Sequence, residues 1–264
     1  MTPTKPANHT KRMNNNDTII VTGGSRGIGA AISLSLAQAG YQVACLSRSG
    51  DLPNAGRQSA APDAATLARC FALPCDVTSE SGVKAAFAKA AEGRRIVGVV
   101  NNAGIHLEGA SREFPLADFE RVMATNATSV FVGCQQAYPH LLASGGGVIV
   151  NIGSFFDRMG VKQNLAYCAS KAAVGAITRC LGVEWANKNI RVIDVAPGYI
   201  VTDLNRDSLG QGSTLLAYLE KRIPGKAPGQ PEDVAELVTA MFSPASRFLT
   251  GETIYVDGAQ GIAH

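Results

Sequence analysis

From Thr18 onward, short apolar runs alternate with stretches of helical period. The apolar runs are Ile19–Val21, Val43–Leu46, Cys70–Pro74, Ile96–Asn101, Val148–Ile152, Ile190–Val195 and Thr253–Val256. They are strand-length, rich in Val and Ile, and lack the alternation of a half-exposed sheet, so they predict strands covered on both faces. Helical patterns fill Ile28–Ala39, Ser79–Ala91, Leu116–Leu142 and Leu165–Ala186, and another opens at Pro231. Buried strands separated by helices predict a parallel sheet of about seven strands with helices on both faces. With no internal repeat and no interdomain linker, residues 17–264 read as one doubly wound α/β domain. Residues 1–16 read as a disordered, solvated tail, with Met13 as an alternative start.

Two segments interrupt the rhythm. Ser49–Pro62 is rich in Gly, Pro and Ser and predicts a surface excursion after the second strand. The longer one, 202–229, carries a short amphipathic piece, Leu215–Ile223, between glycines and prolines. Its place after the carboxyl end of a strand predicts a substrate lid.

Composition narrows the class. A net charge of +3 is too mild for a nucleic-acid or membrane-surface footprint. No apolar run approaches the roughly 18 residues needed to span a bilayer, and the polar start lacks the apolar core of a secretory signal. The six cysteines lack the two-residue spacing of a zinc site and mostly adjoin apolar residues. They predict buried, reduced thiols in a cytoplasmic protein, with no metal.

The candidate chemistry lies at strand ends. Between the first strand and first helix runs Thr22-Gly23-Gly24-Ser25-Arg26-Gly27-Ile28-Gly29. Glycines there let the backbone turn sharply and approach a pyrophosphate set on the helix N-terminus, predicting a dinucleotide site. After the second strand, a carboxylate would accept from the adenosine ribose of NAD(H) and repel the extra phosphate of NADP(H). This chain instead has Ser47 and Arg48, with Arg26 in the glycine turn, a set that suits NADP(H). Asn101-Asn102-Ala103-Gly104 closes the fourth strand and, taken alone, is an ordinary turn. Ser154 ends the fifth strand, and Tyr167 and Lys171 stand four apart on one face of a helix. A free tyrosine is a poor acid or base at neutral pH, and a neighbouring ammonium favours its phenolate.

Taken together, these residues resemble the short-chain dehydrogenase/reductase family, in its branch of about 250 residues that includes 3-oxoacyl-(acyl-carrier-protein) reductases. The likeness runs from Thr18 to Gly258 and rests on the glycine turn, Asp76-Val77, Asn101–Gly104, Asn126, Ser154, Tyr167–Lys171, and Pro197-Gly198 with Thr202. It implies a Rossmann-type sheet, usually in a homotetramer or homodimer. It implies that Tyr167 is general acid in reduction and base in oxidation, with Ser154 bonding the substrate carbonyl oxygen. Lys171 would hold the nicotinamide ribose and lower the Tyr167 pKa, and Asn126 would hold a water relaying protons from Lys171. The cofactor contacts implied are Gly23, Ser25, Arg26, Gly27, Ile28, Gly29, Ser47, Arg48, Asp76, Val77, Asn102, Ala103, Gly104, Pro197, Gly198, Ile200 and Thr202, besides Tyr167 and Lys171. Asp76 would accept from the adenine amino group.

The substrate is less legible: a 3-oxoacyl thioester, or a small ketone, sugar or cyclic alcohol. Carrier-protein reductases usually have basic residues just before the fifth strand, and here Ala143–Gly147 is uncharged, leaving Lys188 as half a patch. Phe155 and Phe156 could wall the carbonyl or simply pack, while Asp157 and Arg158 could face a polar substrate. An NAD(H)-dependent alcohol dehydrogenase and a non-catalytic NADP(H) sensor are the alternatives. Small residues at Ala172, Ala173, Gly175 and Ala176 suit either subunit pairing or intrachain packing.

Overall fold

A computed structural model describes residues 14–54, 61–202, 205 and 213–263. Seven strands form one sheet: β1 (Asp17–Thr22), β2 (Gln42–Ser47), β3 (Cys70–Pro74), β4 (Arg95–Asn101), β5 (Gly147–Ile152), β6 (Ile190–Pro197) and β7 (Thr253–Val256). All pairings are parallel, in the order β3-β2-β1-β4-β5-β6-β7. The chain therefore belongs to the doubly wound α/β class, and the order reverses between β1 and β4. There the carboxyl ends of the strands diverge and open a crevice.

The helices are α1 (Gly27–Gln38), α2 (Ala64–Leu67), α3 (Glu80–Ala91), α4 (Leu116–Met123), α5 (Ser129–Ala143), α6 (Leu165–Trp185), α7 (Thr214–Arg222) and α8 (Pro231–Met241). Ile32 and Leu36 of α1 join Val234 and Val238 of α8 in a core over one face of the sheet. Phe87 of α3, Val130 and Leu141 of α5 and Val174 of α6 fill the core on the other. Each face thus covers its own side of nearly continuous Val and Ile runs, which explains why the strands show no alternation.

Several boundaries differ from the sequence reading. The pattern Leu116–Leu142 is broken by a π-helical turn at Ala124–Thr128, which separates α4 from α5 and holds Asn126. Among residues 14–16, Asn16 accepts from the Arg95 amide and Asn14 donates to Asp17, so the chain is tied to the sheet before β1 begins. The rest of the expected tail lies outside the described residues, as does 55–60 of the excursion after β2. The short α2, capped by Asp63 accepting from the Thr66 amide, has no counterpart in the apolar pattern. Cys45, Cys70, Cys75 and Cys134 are buried as expected, whereas Cys168 is half-buried and Cys180 exposed on α6. Among the described residues, no helix is long and apolar enough to cross a membrane, and no His/Cys/Asp/Glu group could hold a metal.

The segment after β6 returns to its starting point. Val201 donates to the Gly229 carbonyl and Gly229 to the Tyr199 carbonyl, closing the base of the excursion. Within it, Ser213 caps α7 by accepting from the Leu216 amide. Leu219 and Ile223 then bury against Tyr199, Val201 and Leu215.

Candidate active site

The glycine turn is built by close approach. At Gly23 the backbone is left-handed (φ +65°), and a Cβ on Gly29 would sit 2.1 Å from the Gly23 carbonyl oxygen. Only glycine fits that contact. Asn102 locks the turn to the end of β4: its Nδ2 donates to the carbonyls of Thr22 and Gly23, at 3.0 and 3.2 Å. The Thr22 hydroxyl in return accepts from the amides of Asn102 and Ala103. Asn102 and Ala103 are therefore first of all braces of the turn. The first turn of α1 contains no acidic residue, so its positive end is free of competing charge.

The remaining cofactor candidates surround this turn. Thr202 packs against Gly27, within 3.6 Å of where a Cβ would be. The Ser25 carbonyl accepts from Asn54, drawing the loop after β2 against the glycines. Ser47 bonds to Gly50 and Ser49 within that loop, while Arg26 and Arg48 are exposed. Asp76 accepts from the Thr78 amide and hydroxyl, which hold its carboxyl below the ordinary range, with Arg48 a smaller influence. Val77 follows it, half-buried. Pro197 ends β6 opposite Val256, Gly198 lies against Asp257, and Ile200 bridges to Gly229. These residues fit a dinucleotide: glycines where a side chain would obstruct, free amides at a helix N-terminus, and two exposed guanidiniums beside them.

Ser154, Tyr167 and Lys171 converge at the ends of β5 and α6. Ser154 is extended and accepts from the Phe156 amide at 3.3 Å, and its hydroxyl stands near enough to the Tyr167 phenol to favour the phenolate. Burial pushes the Tyr167 pKa up, and the Ser154 hydroxyl opposes it. The Lys171 ammonium lies 5.6 Å from the Tyr167 ring centroid and donates to the Ile152 carbonyl at 2.7 Å. Burial depresses Lys171 to about 8, while the Asp194 charge works the other way. In this arrangement the phenol is governed by burial and Ser154, with Lys171 anchored to the end of β5.

Asn126 also has a defined structural task. Its Oδ1 accepts from the Ile105 amide, and its Nδ2 donates to the Ile105 carbonyl and the Ser170 hydroxyl. Both amide protons are thereby used, so Asn126 could hold a water only by accepting at the second lone pair of Oδ1. A Cβ on Gly104 would lie 3.3 Å from Asn126 Oδ1 and 3.8 Å from Lys171 Nζ, which brings Gly104 into the same cluster.

Three residues at this site went unnoticed in the sequence. His106 meets the Tyr167 ring edge-on at 4.7 Å between centroids and bonds to Asn164. Asp194, in the middle of β6, is fully buried; Thr253 donates to its Oδ2, and among the described residues its Oδ1 has no hydrogen-bond partner. A charged residue inside an otherwise apolar strand pattern was the available signal for Asp194. His106 and Asn164 gave none, because they come together only across the fold.

The residues after Ser154 are resolved too. Phe155 and Phe156 are buried, pack against Tyr199, and Phe156 meets Tyr167 edge-on at 5.9 Å. Asp157 does not face the crevice as a free acid: it accepts twice from the Tyr255 hydroxyl. Arg158 stacks over the Tyr255 ring and reaches Asp257 at 3.6 Å.

A family model described as Enoyl-(Acyl carrier protein) reductase matches residues 23–259. Glucose 1-dehydrogenase of Gluconobacter oxydans is 37% identical over 243 residues, covering 91% of this chain and 90% of the relative. The 3-oxoacyl-(acyl-carrier-protein) reductase MabA of Mycobacterium tuberculosis is 32% identical, covering 93% of each chain. A putative gluconate dehydrogenase structure from Agrobacterium tumefaciens superposes with a TM-score of 0.83 at 31% identity, covering 94% of this chain and 97% of that one. A putative 2-deoxy-D-gluconate 3-dehydrogenase from the same organism, with bound NADP, gives 0.79 at 33% identity, covering 92% and 96%.

Proposed function

The chain belongs to the short-chain dehydrogenase/reductase family of oxidoreductases, and we propose that within it the protein is an NADP(H)-dependent reductase of a small carbonyl compound. The observation that carries this reading is the convergence of Ser154, Tyr167 and Lys171 at the ends of β5 and α6, with Lys171 held to the Ile152 carbonyl and its ammonium 5.6 Å from the Tyr167 ring.

Bound NADPH would supply hydride to the carbonyl carbon. The protein's part is to place and protonate. The Tyr167 phenol, kept protonated by burial, gives its proton to the carbonyl oxygen, and Ser154 donates a hydrogen bond to the same oxygen as charge develops. Lys171 would hold the ribose of the nicotinamide half while fixed to Ile152. Gly23, Ser25, Gly27, Ile28 and Gly29 would receive the pyrophosphate, Asp76 the adenine, and Arg26 and Arg48 the 2′-phosphate. Thr202, Pro197, Gly198 and Ile200 border the nicotinamide end, and 202–229 would act as the lid.

A free substrate is favoured over a carrier-bound one. Gly147 begins β5 and Ile190 begins β6, so Ala143–Gly147 and Lys188 lie at the edge of the sheet opposite the crevice. Ala143–Gly147 carries no charge for an acidic carrier protein to dock on, and Lys188 alone is half a patch. A second reading, dehydrogenation of a polyol, draws support from the glucose and gluconate dehydrogenases among the relatives. A cytoplasmic homodimer or homotetramer completes the proposal, supported by the exposed Ala172, Ala176, Cys180 and Val183 along one side of α6.

The test is a nicotinamide absorbance assay with NADPH and NADH over ketones, hydroxyketones, sugars and 3-oxoacyl thioesters. NADPH-driven turnover should fall at least about a hundredfold in Tyr167→Phe. Arg48→Asp should move preference toward NADH. Undiminished turnover in Tyr167→Phe would remove the assigned proton donor, and unchanged selectivity in Arg48→Asp would remove the cofactor assignment.

A further inference from the structure

Two rings meet Tyr167, and they differ in chemistry. Phe156 is buried and offers only hydrocarbon, whereas His106 is exposed and carries a second nitrogen, Nδ1, that no other described residue hydrogen bonds. The His106 loop is held at three points. Asn126 bonds both the amide and the carbonyl of Ile105, Asn164 bonds the His106 ring, and Gly109 donates to the Gln163 carbonyl at 2.9 Å. A side chain so anchored, yet open to solvent beside the proton donor, is placed to meet substrate.

Its hydrogen-bonding sense is set by its partner. Asn164 Nδ2 donates to the Lys162 carbonyl at 2.9 Å, which fixes the amide orientation and leaves Oδ1 facing His106 as an acceptor. His106 Nε2 must then carry the hydrogen, and in the neutral ring Nδ1 becomes an acceptor. An acceptor recognises a hydroxyl; a ketone, ether or carboxylate oxygen in the same place has no proton to give. Oxygens on adjacent substrate carbons are separated by about the span of one hydrogen bond, ~2.8 Å. The imidazole lies directly beside the Tyr167 ring, 4.7 Å between centroids, so its acceptor serves the part of a substrate next to the reacting carbonyl.

We propose that His106 is a specificity-determining residue that accepts a hydrogen bond from a hydroxyl on the carbon next to the reacting carbonyl. The substrate class is then an α-hydroxy carbonyl compound, and its reduction product a vicinal diol. This rests on the reductase reading given above, and the chemistry is unchanged: the carbonyl carbon gains hydride from NADPH, its oxygen gains the Tyr167 proton, and NADP⁺ leaves.

The experiment compares 2-butanone, 3-hydroxy-2-butanone and 2,3-butanedione with the wild type and His106→Phe, which keeps an aromatic edge on Tyr167 and loses both nitrogens. kcat/KM for the hydroxyketone should fall about tenfold in His106→Phe, the worth of one hydrogen bond, with the other two changed less than about threefold. His106→Ala should show the same selective loss, and serves if the Phe variant does not fold. Equal changes for all three substrates, or none, would overturn the proposal.

A binding arm needs no turnover. Calorimetry of 2,3-butanediol against 2-butanol with the NADP⁺-loaded protein should favour the diol about tenfold, and His106→Phe should abolish the preference. Absent turnover with a His106-dependent diol preference would reject the reductase reading alone. Turnover without that preference would reject only the role of His106.

Discussion

The Asp194 carboxylate is pressed against the backbone of Gly153, so closely that a Cβ on Gly153 would lie 2.4 Å from Oδ1 and 2.8 Å from Oδ2. Gly153 is the residue between Ile152, whose carbonyl anchors Lys171, and Ser154, whose hydroxyl stands beside Tyr167. The placing of the two side chains proposed to act on substrate and cofactor, Ser154 and Lys171, therefore depends on a carboxylate that hydrogen bonds to neither. Gly153→Ala should destabilise the protein by at least about 2 kcal/mol through overpacking, and the same change in an Asp194→Ala background should cost much less. Urea unfolding of the four proteins completes the double-mutant cycle, and additive costs would show that the contact does not limit the turn.

Asp194 also predicts a pH dependence of stability. Burial raises its pKa from 3.8 to about 6, opposed by the Thr253 bond and the Lys171 charge. The folded state therefore favours the protonated carboxyl and binds more protons than the unfolded chain between these values. Stability contributed by Asp194 is then present below about pH 4 and lost as pH rises through about 6, on the order of 3 kcal/mol in all. Relative to Asp194→Asn, the wild type should lose about that much between pH 4 and pH 7, read from urea midpoints. A constant difference across the range would contradict the assignment.

Rate should depend on pH in opposite senses in the two directions. Burial holds the Tyr167 proton beyond neutrality, which suits carbonyl reduction, whereas alcohol oxidation needs the phenolate. Oxidation should climb as pH rises above neutrality and reduction should decline in the alkaline range. Lys171→Met, removing the ammonium that titrates near about 8, should lower oxidation at least tenfold while leaving the fold intact by circular dichroism. Parallel pH profiles in the two directions would argue against a phenol that donates and accepts the same proton.

A polar ladder crosses the core at the same strand ends. Asn101 Nδ2 donates to Asn151 Oδ1 on the paired strand, and Asn151 Nδ2 donates to the Thr178 hydroxyl of α6, both at 2.9 Å. Asn151→Leu would leave the buried Asn101 Nδ2 with only the weak Cys134 sulfur acceptor at 3.4 Å and should cost about 2 kcal/mol in thermal or urea unfolding. A neutral substitution would mean that water reaches these groups.

Much of this architecture was readable from residue order. Runs such as Val43–Leu46 and Val148–Ile152 had to be strands covered on both faces, and the glycines and Tyr167–Lys171 fell at the ends of such elements. The π-helical turn at Ala124–Thr128 was hidden, because one extra residue per turn leaves the apolar spacing of Leu116–Leu142 nearly undisturbed. The work of Asn126, Asn102 and Asn164 was hidden for another reason. An asparagine amide can brace a turn or face a ligand, and only the position of its partners decides. Asp157 illustrates the converse: an acid three residues after Ser154 proves to be claimed by Tyr255, nearly a hundred residues on.

The clamp between Tyr199, Val201 and Gly229 has a consequence for how such a protein can change. Because the excursion between them leaves and rejoins the sheet at one closed base, its length and sequence can vary without altering the register of β6 or the start of α8. The chain thus separates a fixed frame from a segment that can be exchanged. Grafting the corresponding segment of another family member between these anchors would transplant a recognition surface and leave the proton-transfer chemistry where it stands.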